Sequence, residues 1–173
     1  MIVNEQIYSL TVLDPSGTRY NPYCIQKQLE KILEDSQQCQ HQAKASPILP
    51  VGAITALDRD RSASLRLRLG QHNQSSLNRI DSALFAVTLD QDCPRSVDQA
   101  GEWINGGKDE TPGNRWFEKA VNFVIFRNGY VGLTGEHCPL DAPMVGTLAD
   151  FILGECVSCQ GPRSEERRVG KEC

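Results

Sequence analysis

The chain has 173 residues and a net charge of −4, with 39% apolar and 23% charged residues, which is ordinary for a soluble globular protein. The acidic balance argues against a nucleic-acid partner, and no apolar run approaches the roughly 18 residues that a membrane span needs. The seven cysteines are irregularly spaced, so reduced thiols in an intracellular compartment are expected rather than a disulfide framework.

The first predicted elements are a strand, a turn and a helix. Alternating apolar residues with frequent β-branched and aromatic side chains predict a well-buried strand over residues 5–14. Gly17 then favours a turn, because glycine tolerates positive φ. An apolar stripe predicts a helix with Asn21 as its cap and Pro22 in its first position. The polar stretch SQQCQHQAKASP that follows is predicted to be a loop.

The middle of the chain is predicted to alternate between short elements and polar turns. The sequence ILPVGAITALD predicts a short strand or an extended entry into a helix over residues 58–69. Either Asp58 or Asp60 is suited to cap that helix. A polar turn at GQHNQS, a short helix over residues 76–80 and a strand over residues 83–89 complete this region.

The second half of the chain carries the clearest pattern. The sequence DQAGEWING predicts a helix that ends at Gly106 and Gly107. The apolar runs AVNFVIF and YVGLTG, joined by RNG, predict a β-hairpin. A helix is predicted from Ala142, with four apolar side chains buried: Val145, Leu148, Phe151 and Ile152. Strands and helices mixed in this way predict an α/β or α+β layer structure.

His137 follows the second strand of this hairpin, in the sequence EHCPLDAP. A side chain between a strand and a helix lies at a sheet edge, where a rigid scaffold fixes functional groups. Histidine suits proton transfer near neutral pH, and Asp141 is placed to steady its ring. Spacing alone leaves a hydrogen-bonded structural histidine as the alternative. His41 and His72 lie in predicted polar loops and are interpreted as solvated.

The end of the chain has two features of its own. The sequence CVSC, from Cys156 to Cys159, lacks a second ligand pair, so no metal site is predicted. The last eleven residues, RSEERRVGKEC, resemble the translation of a sequencing adapter. Residues 163–173 are therefore expected to be a non-native tail, and the natural protein is expected to continue beyond residue 162.

The sequence GNRWFEKAVNFVIFRNGYVGLTGEHCPLDAP strongly resembles the carnitine/choline O-acyltransferase family. The family pattern is N-R-W-(F/Y)-(D/E)-K, then two strands joined by a short turn, and then E-H-x-x-x-(D/E)-(A/G). Upstream, QIYSLTVLDPSG, QKQLEKIL, PVGAIT and SLNRIDSALFAVTLD follow the family's order, so the resemblance covers residues 1–162. The matching motif residues are Asn114, Arg115, Trp116, Phe117, Glu118, Lys119, Glu136, His137 and Asp141.

This resemblance implies an enzyme that moves an acyl group between acyl-CoA and carnitine. His137 is expected to be the general base that takes the proton of the acceptor hydroxyl, and Asp141 the supporting carboxylate. Trp116 and Phe117 are expected to pack in the core, and Glu136 to be structural. Acyl-CoA and carnitine are the expected small-molecule partners, as substrates, with no bound cofactor.

Two alternatives stay open within this resemblance. Choline O-acetyltransferase is one, although the sequence Asp141-Ala142-Pro143 looks more like the carnitine enzymes. The other is a catalytically silent relative that acts by binding.

The family fold has two similar α/β domains, each like a chloramphenicol acetyltransferase subunit, with a mixed sheet packed against helices in two layers. By resemblance, residues 1–162 are part of the N-terminal-type domain. The CoA-binding segment, the carnitine carboxylate site and the oxyanion hydroxyls are expected elsewhere, so the chain alone is expected to be inactive. A monomer in the mitochondrion or the peroxisome is expected, with the cytoplasm as the alternative location.

Overall fold

The computed structural model of the protein describes residues 1–42, 49–106 and 113–158. The helices are α1 (Pro22–Gln42), α2 (Arg59–Ser82), α3 (Val97–Ile104) and α4 (Ala142–Ser158), with a 3₁₀ helix at Val51–Ala56. The strands are β1 (Ile2–Val3), β2 (Gln6–Ile7), β3 (Ala86–Asp90), β4 (Val121–Phe126) and β5 (Val131–Gly135). These strands form a five-stranded sheet in the order β2-β1-β3-β4-β5, which confirms an α/β architecture with a mixed sheet. No helix within these ranges is long and apolar enough to cross a membrane.

The β4–β5 hairpin forms one edge of the sheet. β3 pairs in parallel with β1 and with β4, and β4 pairs antiparallel with β5. The predicted hairpin is confirmed, with Gly129 at a φ of 87° in its turn. Val124 and Phe126 of β4 are buried against Ala100 of α3. This packing fixes the hairpin, and therefore also the point at which β5 ends.

The N-terminal strand prediction is wrong for most of residues 5–14. Asn4 and Glu5 take positive φ values of 50° and 64°, which make a two-residue turn between β1 and β2. The chain therefore reverses at the first residue of the predicted strand, and β2, a two-residue strand at the sheet edge, ends at Ile7. Glycine is the usual residue in such a turn, so its absence from this sequence concealed the reversal.

The predicted turn and the predicted helix caps are confirmed. Gly17 takes a φ of 82°. The Asn21 side chain accepts a hydrogen bond from the Cys24 N–H at 2.8 Å, and α1 begins at the next residue, as predicted. The Asp58 side chain accepts from the Arg61 N–H at 3.0 Å. These side chains satisfy N–H groups that have no partner inside the first turn of each helix.

Helix α1 is longer than predicted. It extends to Gln42, so the loop prediction is wrong for residues 36–42, and residues 43–47 lie outside the described residues. Residues 36–42 contain no glycine or proline that would end the helix earlier. His41 therefore lies in the last helical turn rather than in a loop, and both His41 and His72 are exposed, as expected.

Helix α2 also continues through a predicted turn, with a local break at Asn73 (φ −130°, ψ 22°). Leu69 precedes the break and Leu77 and Ile80 follow it, and all three belong to one cluster with Trp116. Both parts of α2 therefore pack against one shared core, although the sequence between them is polar.

The 3₁₀ helix replaces the strand or extended entry that was predicted before α2. It lies against the backbone of the N-R-W-F segment, where the Phe117 N–H donates to the Thr55 hydroxyl at 2.9 Å. A Cβ on Gly52 would clash with the carbonyl oxygens of Gly113 and Arg115. This close approach explains why a glycine stands in an otherwise apolar stretch.

Helix α4 begins at Ala142, as predicted, but its burial prediction is partly wrong. Val145, Leu148 and Ile152 are only half-buried, and Phe151 is 65% exposed. In the described part of the chain the main contact of α4 is with β5, so one strand covers a narrow side of the helix. Met144 and Leu153, like Phe151, are therefore exposed.

Among the cysteines of the described ranges, the thiol prediction is confirmed for four and wrong for one, and Cys159 and Cys173 lie outside the described residues. Cys39, Cys93, Cys138 and Cys156 are free. Cys24, buried in α1, is disulfide-bonded.

Candidate active site

His137 lies in the turn between β5 and α4. The Glu136 N–H donates to the carbonyl of Ala120 at 3.2 Å, which extends the hairpin ladder by one residue beyond β5. The next residue, His137, leaves the sheet, and its side chain is 79% exposed. The imidazole is therefore exposed and does not belong to the core.

Asp141 lies at the start of α4, where its carbonyl accepts hydrogen bonds from the Met144 and Val145 N–H groups. Its Oδ1 lies 3.8 Å from Nδ1 of His137. This distance is too long for a hydrogen bond, but it allows an electrostatic attraction when the imidazole is protonated. The structure thus brings together the two residues predicted for the site.

Arg59 reaches this turn from the first position of α2. Its Nη2 lies 2.9 Å from Cys138 Sγ and 3.4 Å from Glu136 Oε1. Glu136 Oε2 in turn accepts the Cys138 N–H at 2.8 Å. The sequence pattern could not reveal Arg59, because its partners lie 77 and 79 residues further along the chain.

Glu136 is held as a carboxylate by these neighbours. Hydrogen bonding from Cys138, first through its thiol and then through its N–H, lowers the pKa of Glu136, and the Arg59 charge lowers it further. Glu136 therefore organises the turn, in agreement with its predicted structural role.

The N-R-W segment forms a buried polar network beneath the hairpin. Arg115 pairs with Asp90 through two hydrogen bonds of 2.7 and 3.1 Å, and the two side chains are only 5% and 10% exposed. Arg115 also donates to the carbonyls of Trp103 and Ile104, at the end of α3. Asn114 donates to the carbonyl of Leu89 and to the Asp90 carboxylate. The network joins the end of β3 to the end of α3.

The other motif residues are also structural. Trp116 is 2% exposed and packs with Ile2 and Leu77, which confirms the predicted core role, and Phe117 is half-buried. The Lys119 ammonium donates to the carbonyls of Asp81 and Ala83, where α2 ends, and burial lowers the pKa of Lys119. The Glu118 carboxylate accepts hydrogen bonds from two α2 side chains, Ser62 and Arg66.

A cavity of about 560 Å³ lies between the N-terminal hairpin and α2. Its lining includes Tyr8, Leu77 and Trp116, but not His137 or Asp141. It is therefore separate from the His137 turn. No group of three or more His, Cys, Asp or Glu side chains suited to a metal ion occurs in the described ranges.

The family model for choline/carnitine O-acyltransferase matches residues 1–172 of the chain. The chain belongs to this family. The motif that carried the resemblance has two parts in this structure. One part is a buried network around Arg115, and the other is an exposed turn around His137.

Several acyltransferases are similar in sequence. The carnitine O-acetyltransferase of Mus musculus is 31% identical over 162 residues, which is 88% of this chain and 25% of that protein. The human carnitine O-palmitoyltransferase 2, mitochondrial, is 35% identical over 133 residues, 75% of this chain and 18% of that protein. The liver isoform of human carnitine O-palmitoyltransferase 1 is 32% identical over 147 residues, 79% of this chain and 18% of that protein. The chain spans about a quarter or less of the length of these relatives.

Proposed function

We propose that this chain carries the catalytic base of an enzyme that moves an acyl group between acyl-CoA and carnitine. The observation that carries the proposal is the exposure of His137 at the end of a fixed hairpin, inside the family's motif. The similar proteins named above are carnitine acetyl- and palmitoyltransferases, which favours carnitine over choline as the acceptor.

His137 acts on a weak nucleophile. The neutral imidazole takes the proton of the carnitine hydroxyl while that oxygen attacks the thioester carbonyl carbon of acyl-CoA. The tetrahedral intermediate collapses, the carbon–sulfur bond breaks, and the imidazolium returns the proton to the CoA thiolate. In the reverse direction the same imidazole takes the proton of the CoA thiol. A base positioned in this way contributes about 10²–10⁴-fold to the rate.

Asp141 supports His137 through charge. At 3.8 Å from Nδ1, its carboxylate favours the imidazolium that forms during the reaction. Both side chains are largely exposed, and water screens their attraction, so Asp141→Asn is expected to slow turnover less than any change of His137.

The chain is proposed to supply part of the catalytic unit. Residues 1–162 belong to a chloramphenicol-acetyltransferase-like first domain, and the groups that hold CoA, carnitine and the oxyanion lie in the rest of the protein. The short coverage of the relatives, 25% of the mouse enzyme, supports this division. Residues 163–173, which lie outside the described residues, stay a predicted adapter-derived tail. A monomeric state and a mitochondrial or peroxisomal location stay predictions.

The test is an acyl-transfer assay on the full-length protein that contains this sequence. Acetyl-CoA and palmitoyl-CoA are offered with carnitine or with choline, and thiol release is measured. We expect turnover with carnitine and a loss of about 10²–10⁴-fold in His137→Gln. His72→Gln is the matched control, since His72 is also exposed but lies in α2, and it is expected to be fully active.

Stability measurements separate this result from misfolding. In the 173-residue chain the His137 side chain is exposed, so His137→Gln is expected to change the free energy of unfolding of this chain by less than about 0.5 kcal/mol. The enzyme proposal is wrong if the full-length protein transfers no acyl group, or if His137→Gln retains normal activity. Turnover by the 173-residue chain alone would contradict the proposal that it is an incomplete unit.

A further inference from the structure

The turn that carries His137, residues 136–141, has few restraints of its own. The backbone bond from Glu136 to Ala120 fixes its start, and the first bonds of α4 fix its end at Asp141. Between these points the His137 ring is exposed and too far from Asp141 for a hydrogen bond. A general base acts efficiently only when it is held in a productive geometry, so another group is needed to restrain the turn.

Arg59 contacts the residues on both sides of His137. A single nitrogen, Nη2, lies within reach of Cys138 Sγ at 2.9 Å and of Glu136 Oε1 at 3.4 Å. The Glu136 carboxylate binds the Cys138 N–H with its other oxygen at 2.8 Å. The three groups therefore close a ring across the turn, and His137 is the residue inside that ring.

The start of α2 is a firm base for this contact. Asp58 caps the helix through the Arg61 N–H, and Ser62, one turn further on, is buried and donates to Glu118 beside the N-R-W network. Arg59 thus connects the His137 turn to α2, which is itself joined to Glu118 through Ser62. The carboxylate charge of Glu136 also matches the arginine charge, which favours this closed arrangement.

We propose that Arg59 is a positioning residue for His137, which holds the 136–138 turn closed so that the imidazole faces the acceptor hydroxyl. This inference rests on the proposed role of His137 as the base. Arg59 touches neither substrate nor reacting atom in this role. Its removal lets the turn open, and a smaller fraction of the molecules presents the imidazole in a reactive position.

Three variants of the full-length protein test this role. Arg59→Gln removes the positive charge and shortens the side chain, whereas Arg59→Lys retains a cation with several N–H donors. Arg61→Gln is the matched control, because Arg61 is also an exposed arginine in the first turn of α2, but it pairs with Asp58 and not with the His137 turn. Arg59→Gln and Arg61→Gln each remove one positive charge from the first turn of α2. The two variants therefore differ in whether the contact with the His137 turn is lost.

The kinetic expectation separates positioning from binding and from folding. Arg59→Gln is expected to lower kcat by about ten- to a hundredfold, with KM for both substrates within about twofold of wild type. Arg59→Lys is expected to recover most of this loss, and Arg61→Gln to keep normal kcat. An unchanged kcat in Arg59→Gln, an equal loss in Arg61→Gln, or a loss confined to KM would overturn the proposal.

A spectroscopic signature adds a readout that a merely structural role would not move. In ¹⁵N-histidine spectra of the same protein, Arg59→Gln is expected to shift the imidazole signals of His137, assigned with His137→Gln, while those of His72 stay in place. An unchanged His137 signal would overturn the proposal even if kcat fell.

The failure of this inference differs from the failure of the proposed function. If His137→Gln is inactive and Arg59→Gln is normal, only the role of Arg59 is wrong. If His137→Gln is active, the base assignment fails, and the role of Arg59 fails with it.

Discussion

The two parts of the family motif are held in opposite ways. Arg115 is buried and makes hydrogen bonds to a carboxylate and to backbone carbonyls, whereas His137 is exposed and lies at the end of a strand. Both lie in one continuous stretch of sequence, 22 residues apart by number. A shared motif therefore does not imply a shared role, and the comparison predicts that changes in the first part cost stability while changes in the second cost activity.

The largest expected effect is on the buried pair. Arg115→Met leaves the Asp90 carboxylate without its cation in a site where both side chains are at most 10% exposed. Removing one partner of a buried ion pair costs about 3–5 kcal/mol, so a large loss in the free energy of unfolding is expected in urea titrations. Lys27→Met is the control, because its pair with Glu30 is exposed, and little change is expected.

A double variant shows whether the loss comes from the stranded charge. Arg115→Met combined with Asp90→Leu removes both charges, and it is expected to recover part of the stability. If Arg115→Met alone is as stable as the wild type, the N-R-W segment is not the scaffold described above.

A smaller effect is expected at Gly52, which contacts the same segment from the 3₁₀ helix. Gly52→Ala places a methyl group against the backbone carbonyls of Gly113 and Arg115, which cannot move as a side-chain tip can. Overpacking of this kind costs about 1–3 kcal/mol in the free energy of unfolding. Gly101→Ala, in α3 with no atom near its added methyl, is expected to stabilise the protein by about 0.5–1 kcal/mol. Equal effects of the two substitutions would contradict the close packing described for Gly52.

The smallest effect concerns pH and the exposed turn around His137. The pKa of Glu136 lies below its ordinary value of 4.5, because Cys138 and Arg59 favour the carboxylate. A group whose pKa is lower in the folded state contributes stability above its unfolded pKa and loses that contribution as the pH falls through the folded pKa. We therefore expect a small acid-induced loss of stability below pH 4.5, and expect Glu136→Gln to lack it.

The measurement is an NMR titration of the Glu136 carboxylate, with urea unfolding at pH 7 and at about pH 3.5. The contribution is minor because the Arg59 side chain is 83% exposed and water screens its attraction to Glu136. A Glu136 pKa at or above 4.5 would show that the turn is not closed around this carboxylate in solution.

Elements with local chemistry were predictable from the sequence. The hairpin at Gly129, the cap at Asn21 and the cap at Asp58 follow from residue types within a few positions of each other. The N-terminal strand over residues 5–14 was predicted wrongly, because its alternating pattern continues beyond β2, although only Gln6 and Ile7 pair in the sheet. The turn predicted at GQHNQS occurs only as a non-helical break at Asn73, because the apolar residues on either side of this polar stretch pack against one core.

The sequence by itself determined the family, the two-part motif, the position of His137 after a strand and the residues that begin the helices. It did so because capping, turn formation and strand alternation depend on neighbours along the chain. Only the tertiary structure decided that Arg115 pairs with Asp90 and that Arg59 reaches the turn around His137. These partners are separated by 25 to 79 residues, and contacts over such distances are set by the packing of the sheet and helices rather than by any local pattern.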